Sequence, residues 1–147
     1  MGEERETTAK QYILRIPAKL EEMDLILAFV SLLLDTNGCS TKARTQLRMA
    51  VEEIYVNQAL YAYPSGDGWA EMQGSVENDV ATFTLIDGGT PFGPLAKADP
   101  DITLSGEARG IGGLGIYMVK TMVDEPKYEY RDGCNRLMMR RRLHEEF

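Results

Sequence analysis

The sequence predicts an α+β fold, a two-layer α/β sandwich in which a mixed, mainly antiparallel sheet carries its helices on one face. Three features lead there. The elements read β-α-α-β-β-loop-α-β-β along the chain. Two pairs of extended runs are separated by only a few turn-forming residues, the spacing of antiparallel hairpins. The 147 residues, 44% hydrophobic and 27% charged with 14 Gly and 6 Pro, suit one compact domain over 1–147, and a chain of this length buries roughly 70% of the surface its unfolded form exposes.

The first ten residues, MGEERETTAK, are expected to be flexible, and residues 11–16 (QYILRI) read as a short strand. After Pro17 a strongly apolar helical stretch runs from Ala18 to Asn37, with Gly38 as its stop. That helix should be mostly buried, its run Leu25 to Leu34 serving the core. Ser40 or Thr41 caps a second helix reaching Tyr63, where Pro64, Ser65, Gly66 and Gly68 force a loop. WAEMQGSV and VATFTLID follow as two strands turning at Glu77, Asn78 and Asp79. Residues 88–111 form a long connection rich in Gly, Pro and Asp, and a connection of that length is more often a lid or binding loop than a passive link. A third helix is expected over Gly113 to Val123, and the strands PKYEYR and NRLMMRRR, joined through Asp132 and Gly133, finish the chain.

Charge excludes several classes of function. Sixteen Lys and Arg against 23 Asp and Glu give a net charge of −7, which argues against a domain built to hold nucleic acid or an anionic membrane. Cys39 and Cys134 have neither metal-ligand nor CxxC spacing and are expected to be reduced thiols. The one histidine, His144, cannot assemble a triad or a His-based metal site by itself. The N-terminus is too charged for a signal peptide, Glu6 breaks a myristoylation pattern, and Leu25 to Leu34 is too short for a bilayer, so a cytoplasmic protein is expected.

Three groups of residues carry chemistry. Glu53 and Asn57, four apart on the second helix, project from the same side, among Gln46, Met49, Ala50 and Leu60. A carboxylate on such an apolar stripe calls for a cation or a ligand proton, although an acid and an amide bonded to each other at the core edge would give the same pattern. Asp87-Gly88-Gly89 follows the run TFTLI. A carboxylate leaving a strand can accept from an exocyclic amine, and Gly89 carries no side chain to block a flat ring; a plain polar turn is the simpler alternative. Gly110-Ile111-Gly112-Gly113-Leu114-Gly115 runs into the third helix, where bare backbone N–H groups and the positive end of the helix dipole suit phosphate, with Arg109 adjacent as a cation. The same string satisfies GxGxxG. A dinucleotide fold would place that string directly after a strand and open a βαβ unit with it, whereas here a long loop precedes it and hairpin strands follow.

Read in order, the three groups resemble the N box, G1 box and G2 box of the histidine-kinase-like ATPases, the GHKL or Bergerat ATP-binding fold. VEEIYVNQALYAYP, DGGTPFGPL and GIGGLGIYMVKTMVD are closest to the branch of anti-sigma-factor serine-protein kinases, and YEYRDGCNRLMMRRRL is similar to that branch's final hairpin. Leu60 and Tyr61 stand where the branch frequently has an Arg-His pair, and Pro91 stands at the second glycine of the wider G1 pattern.

The resemblance implies an ATP-dependent serine/threonine-protein kinase that binds a sigma factor and phosphorylates a STAS-type antagonist, with ATP and Mg²⁺ as cofactors. It implies that Asn57 holds Mg²⁺, that Glu53 is the general base, that Asp87 accepts from the adenine amine with Gly89 making room, and that Gly112, Gly113, Leu114 and Gly115 line the phosphates. Arg109 is added from its charge and position. A homodimer is a further expectation of the branch, and a catalytically silent ATP-binding partner-switch module would use the same pocket.

Overall fold

The computed structural model describes residues 10–91 and 119–144. Five strands form one open sheet in the order β1-β2-β3-β5-β4: β1 (Tyr12–Pro17), β2 (Trp69–Glu77), β3 (Val80–Asp87), β4 (Asp124–Arg131) and β5 (Cys134–Arg142). All four pairings between these strands are antiparallel, so the sheet's described part is wholly antiparallel where a mixed one was expected. Two helices, α1 (Met23–Thr36) and α2 (Thr41–Tyr61), pack on one face.

Both hairpin turns are two residues long with positive φ at each position: Asn78 and Asp79 (55° and 64°), then Asp132 and Gly133 (56° and 75°). That twist matches the strands it joins, and Asn, Asp and Gly tolerate it best. Alternation sets the faces. Ala70 and Met72 on β2, Ala81, Phe83 and Leu85 on β3, and Leu137 and Met139 on β5 point under the helices and are buried. Gly74 sits on the same face because a Cβ there would lie 2.8 Å from the Phe83 ring and 3.0 Å from Leu33.

The first helix differs from expectation at its start. The strand ends at Pro17, the chain bends at Ala18 and Lys19, a 3₁₀ turn covers Leu20–Glu22, and the α-helix begins only at Met23. Tertiary contacts outweigh local propensity here. The buried Tyr55 hydroxyl accepts from the Lys19 N–H (3.1 Å) and donates toward the Lys19 and Pro17 carbonyls (2.7 and 3.2 Å), while the Ala18 N–H bonds to the Gly68 carbonyl (3.0 Å). Burial pushes the Tyr55 phenol up to about 12, so it stays a donor. Along α1, Ile26, Val30, Leu33 and Leu34 reach the core, but Leu25 and Leu32 face outward, 51% and 68% exposed, so only one side of the apolar run serves the core.

Ser40 caps α2, its hydroxyl accepting from the Ala43 N–H, and Gly38 ends the α1 segment at φ 69°. Cys39 and Cys134 are free. Among the described residues no helix is long and apolar enough to cross a membrane. Residues 1–9 of the N-terminal segment expected to be flexible, the 88–111 loop beyond Pro91 and most of the expected third helix lie outside the described residues; the helix's last turn, 119–122, is described, and Val119 and Val123 are buried.

His144 clasps the end of β5 to two turns. Its Nδ1 lies 2.7 Å from Asp79 Oδ1 and its Nε2 2.7 Å from the Gly38 carbonyl. Both partners are acceptors, so the arrangement needs both ring nitrogens protonated. The Asp79 contact first, then the Gly38 carbonyl, raises the imidazole above its ordinary 6.5, and the same contact lowers Asp79 below 3.8. A histidine with a raised folded-state value stabilises fully below 6.5 and loses that contribution as pH rises through the folded value. Asp79 contributes above 3.8 and loses its share as pH falls through its lowered value. The clasp is therefore strongest between these limits. Thermal melts at pH 5.5 and pH 8.5 should show a larger loss for the wild type than for His144→Ala; equal losses would show that the clasp does not form.

Candidate active site

A cleft opens between the C-terminal half of α2 and the ends of β3 and β5, lined by Ile54, Asn57, Gln58, Ala62, Leu85, Asp87, Tyr128, Asn135 and Leu137. Its walls are apolar and its end is polar, the composition that suits a flat ring with one hydrogen-bonding edge. Each polar group arrives there for a local reason. Asp87 is the last residue of β3 and is 3% exposed. Asn135 is at an inward position of β5, paired across the ladder with Asp87. Gln58 continues the buried stripe of α2 that runs through Leu47, Val51 and Ile54.

Asp87 is held by three donors. Its Oδ1 accepts from Asn135 Nδ2 (2.8 Å) and from the Gly89 N–H (2.9 Å), and its Oδ2 accepts from Gln58 Nε2 (3.0 Å). Asn135 Nδ2 also reaches the Thr90 carbonyl (2.8 Å), and the Tyr128 hydroxyl donates to Asn135 Oδ1. A carboxylate offers about four lone-pair sites, so one remains, on Oδ2. The turn that follows is fixed as well. The Gly88 N–H donates to the Tyr63 hydroxyl (2.7 Å), which in turn donates to the Trp69 carbonyl (2.6 Å), and the Thr90 N–H bonds to the Ala62 carbonyl (2.8 Å).

Gly89 has a different role from the one expected of it. A Cβ there would stand 2.1 Å from the Ala62 carbonyl oxygen and 2.6 Å from its carbon, so the side-chain space is filled by the end of α2, not left for a ring. The glycine lets the Asp87 turn close onto the helix. Gly89→Ala must push backbone aside and should cost about 2–3 kcal/mol of stability, measured by urea denaturation; a midpoint equal to the wild type would contradict this packing.

Asn57 lines the cleft, and Glu53 stands one helical turn before it on α2. Asn57 is buried, and its Nδ2 donates to the Glu53 backbone carbonyl (3.2 Å). That bond fixes which way the amide faces, and no described group donates to its Oδ1. Glu53 is half-buried. No described side chain forms an ion pair with it, so of the cation or ligand proton expected beside it, a cation is not found among the described residues. The reason is that α2 is rotated from the expected stripe: Met49 and Leu60 are 45% and 47% exposed, and the buried side is the adjacent one. Desolvation first, then the neighbouring Glu52, raises the Glu53 carboxyl above its ordinary 4.5.

One amide oxygen with phosphate and water oxygens is a donor set Mg²⁺ accepts, because the ion keeps several waters and takes few protein ligands. Among the described residues no group of three His, Cys, Asp or Glu converges on one point, so this corner makes no all-protein cage. Arg109, Gly112, Gly113, Leu114 and Gly115 lie outside the described residues.

The histidine kinase-like ATPase domain family matches residues 16–141. The chain belongs to that family. Among curated relatives, the protein named serine-protein kinase RsbW from Listeria monocytogenes serovar 1/2a is 28% identical over 130 residues, covering 85% of this chain and 83% of its own. The RsbW of serotype 4a is 27% identical over the same share. A solved structure of the RsbU and RsbW domains of Rv1364c from Mycobacterium tuberculosis superposes with a TM-score of 0.61 at 16% identity, over 92% of this chain and 33% of that one. This chain thus spans about a third of that protein, and the likeness shows a shared fold.

Within the family domain, Gln58, Asn135 and Tyr128 are the residues that sequence reasoning missed. Each had a signal. Gln58 is a polar residue on the apolar stripe of α2, and Asn135 occupies an inward-facing place in an alternating strand. Tyr128 precedes the turn by a length that puts it opposite Leu137.

Proposed function

We propose that this protein is an ATP-dependent serine/threonine-protein kinase that acts as an anti-sigma factor and phosphorylates a STAS-type antagonist. The observation that carries the reading is the placement of Glu53, an acid with no ion-pair partner among the described residues, one helical turn before Asn57, which lines the same cleft as Asp87. The name of the Listeria relatives, serine-protein kinase, supports the reaction class. The resemblance to the anti-sigma branch supports the sigma factor and the STAS protein as partners, a cytoplasmic setting and a homodimer.

Asp87 accepts a hydrogen bond from the adenine amine on its free Oδ2 site, and Ile54, Leu85 and Leu137 give the ring apolar walls. Asn57 Oδ1 is the chain's oxygen for Mg²⁺, which when bound neutralises phosphate charge. Glu53 takes the proton from the attacking serine hydroxyl as the serine oxygen bonds to the γ-phosphorus and the bond from that phosphorus to the β–γ bridging oxygen breaks, with ADP as the leaving group. Its raised carboxyl value makes it a somewhat stronger base than a free glutamate. Arg109 and the segment Gly112 to Gly115 are assigned to the phosphates. The phosphate placed on the antagonist adds about −1.5 to −2 charges at the contact, enough to change which partner is held.

The test is transfer of labelled phosphate from Mg·ATP to the STAS-domain proteins of the source organism, with phosphoserine or phosphothreonine located by mass spectrometry. Label on one of them is the expected result. Normal ATP binding without transfer to any would overturn the kinase and leave a nucleotide-sensing partner module.

A further inference from the structure

Gln58 holds a buried hydrogen-bonding atom without a partner. The side chain is 7% exposed and lines the cleft, and its Oε1 has no hydrogen-bond partner among the described residues. Its orientation follows from its neighbour. Asp87 Oδ2 can only accept, so the Gln58 nitrogen must face it at 3.0 Å, which leaves the oxygen pointing elsewhere. An unmade hydrogen bond at a buried amide is costly, and a native site that carries one is poised for a donor from outside the chain. The free lone-pair site on Asp87 lies on Oδ2, the same oxygen that Gln58 holds. Gln58 and Asp87 both line the cleft and are bonded to each other, so each brings an acceptor with capacity to spare to one otherwise apolar site.

We propose that Gln58 Oε1 and Asp87 Oδ2 together read the two hydrogens of an exocyclic purine amine, making Gln58 a specificity-determining residue of the nucleotide site. This rests on the reading of the cleft as the adenine pocket. An adenine amine satisfies both acceptors. A purine with a carbonyl at that position would set oxygen against two oxygens, and rejection by unpaired buried acceptors is stronger than any apolar wall provides. The donor from Gln58 to Asp87 also limits the carboxylate's freedom to swing toward a different edge.

The test compares Mg·ATP, Mg·N6-methyl-ATP and Mg·ITP by titration calorimetry on the wild type and on Gln58→Met, which keeps length and removes the carbonyl. N6-methyl-ATP retains one N–H for Asp87 and lacks the second. The wild type should bind ATP about tenfold more tightly than N6-methyl-ATP, the worth of one hydrogen bond, and about a hundredfold or more over ITP. Gln58→Met should bring the ratio of ATP to N6-methyl-ATP close to one. An unchanged ratio in the variant, or equal binding of both nucleotides by the wild type, overturns the proposal while leaving the adenine pocket standing. The second comparison needs no variant to fold. A folded wild type that binds none of the three overturns the pocket itself, and this inference with it.

Discussion

Glu53→Gln should lower phosphotransfer by about 10²–10⁴-fold, the range of a lost general base, with Mg·ATP affinity within about threefold of the wild type. Glutamine keeps the shape and removes only the proton acceptor. The backbone carbonyl that Asn57 holds is untouched, so the amide's position survives. The pH profile gives a second sign. Activity in the wild type should rise with pH through a value above the ordinary 4.5, since desolvation raises this carboxyl and the base must be ionised. The same shift means that ionised Glu53 opposes folding above its unfolded value, so the variant should melt slightly higher at neutral pH. Lost transfer with equal or greater stability separates chemistry from folding. Transfer at the wild-type rate would remove Glu53 from the mechanism.

Asp87→Asn should weaken ATP binding by about a hundredfold or more, more than one neutral hydrogen bond because the acceptor lost is charged. An asparagine oxygen can replace one carboxylate oxygen, but its NH₂ group then faces the donors of Gln58 or Asn135. Rotating Gln58 by a half-turn relieves that contact and turns its NH₂ toward the ligand's amine, so one cost replaces the other. Fluorescent-nucleotide titration measures the effect. Asp87→Ala takes the acceptor from the Gln58 amide and the Gly89 N–H, leaves Asn135 Nδ2 with the Thr90 carbonyl alone, and should cost about 3 kcal/mol of stability besides. Binding unchanged in Asp87→Asn would place the base elsewhere.

Much of the fold was legible because its signals are local. Glu77-Asn78-Asp79 and Asp132-Gly133 announce the hairpin turns, the first of which uses only Asn78 and Asp79, Ser40 and Gly38 bracket the helix junction, and alternation in VATFTLID and NRLMMRRR sets the faces. The start of α1 was not legible, because what holds the bend at Ala18 and Lys19 is Tyr55, 36 residues from Lys19. The exposed Leu25 and Leu32 were hidden by a run apolar on every side. In the site, Glu53, Asn57 and Asp87 could be found as residues, but not the role of Gly89. A glycine after a strand looks the same whether it admits a ligand or admits the end of a helix, and only the position of Ala62 decides. Gln58 and Asn135 were legible in principle, as polar residues in buried registers of a helix and a strand.

The most direct test of the account is calorimetric titration of the wild-type protein with Mg·ATP, Mg·ADP and NAD. The account predicts one site that takes ATP and ADP and gives no heat with NAD. A folded sample that binds neither ATP nor ADP, or that binds NAD as well as it binds ATP, would contradict it.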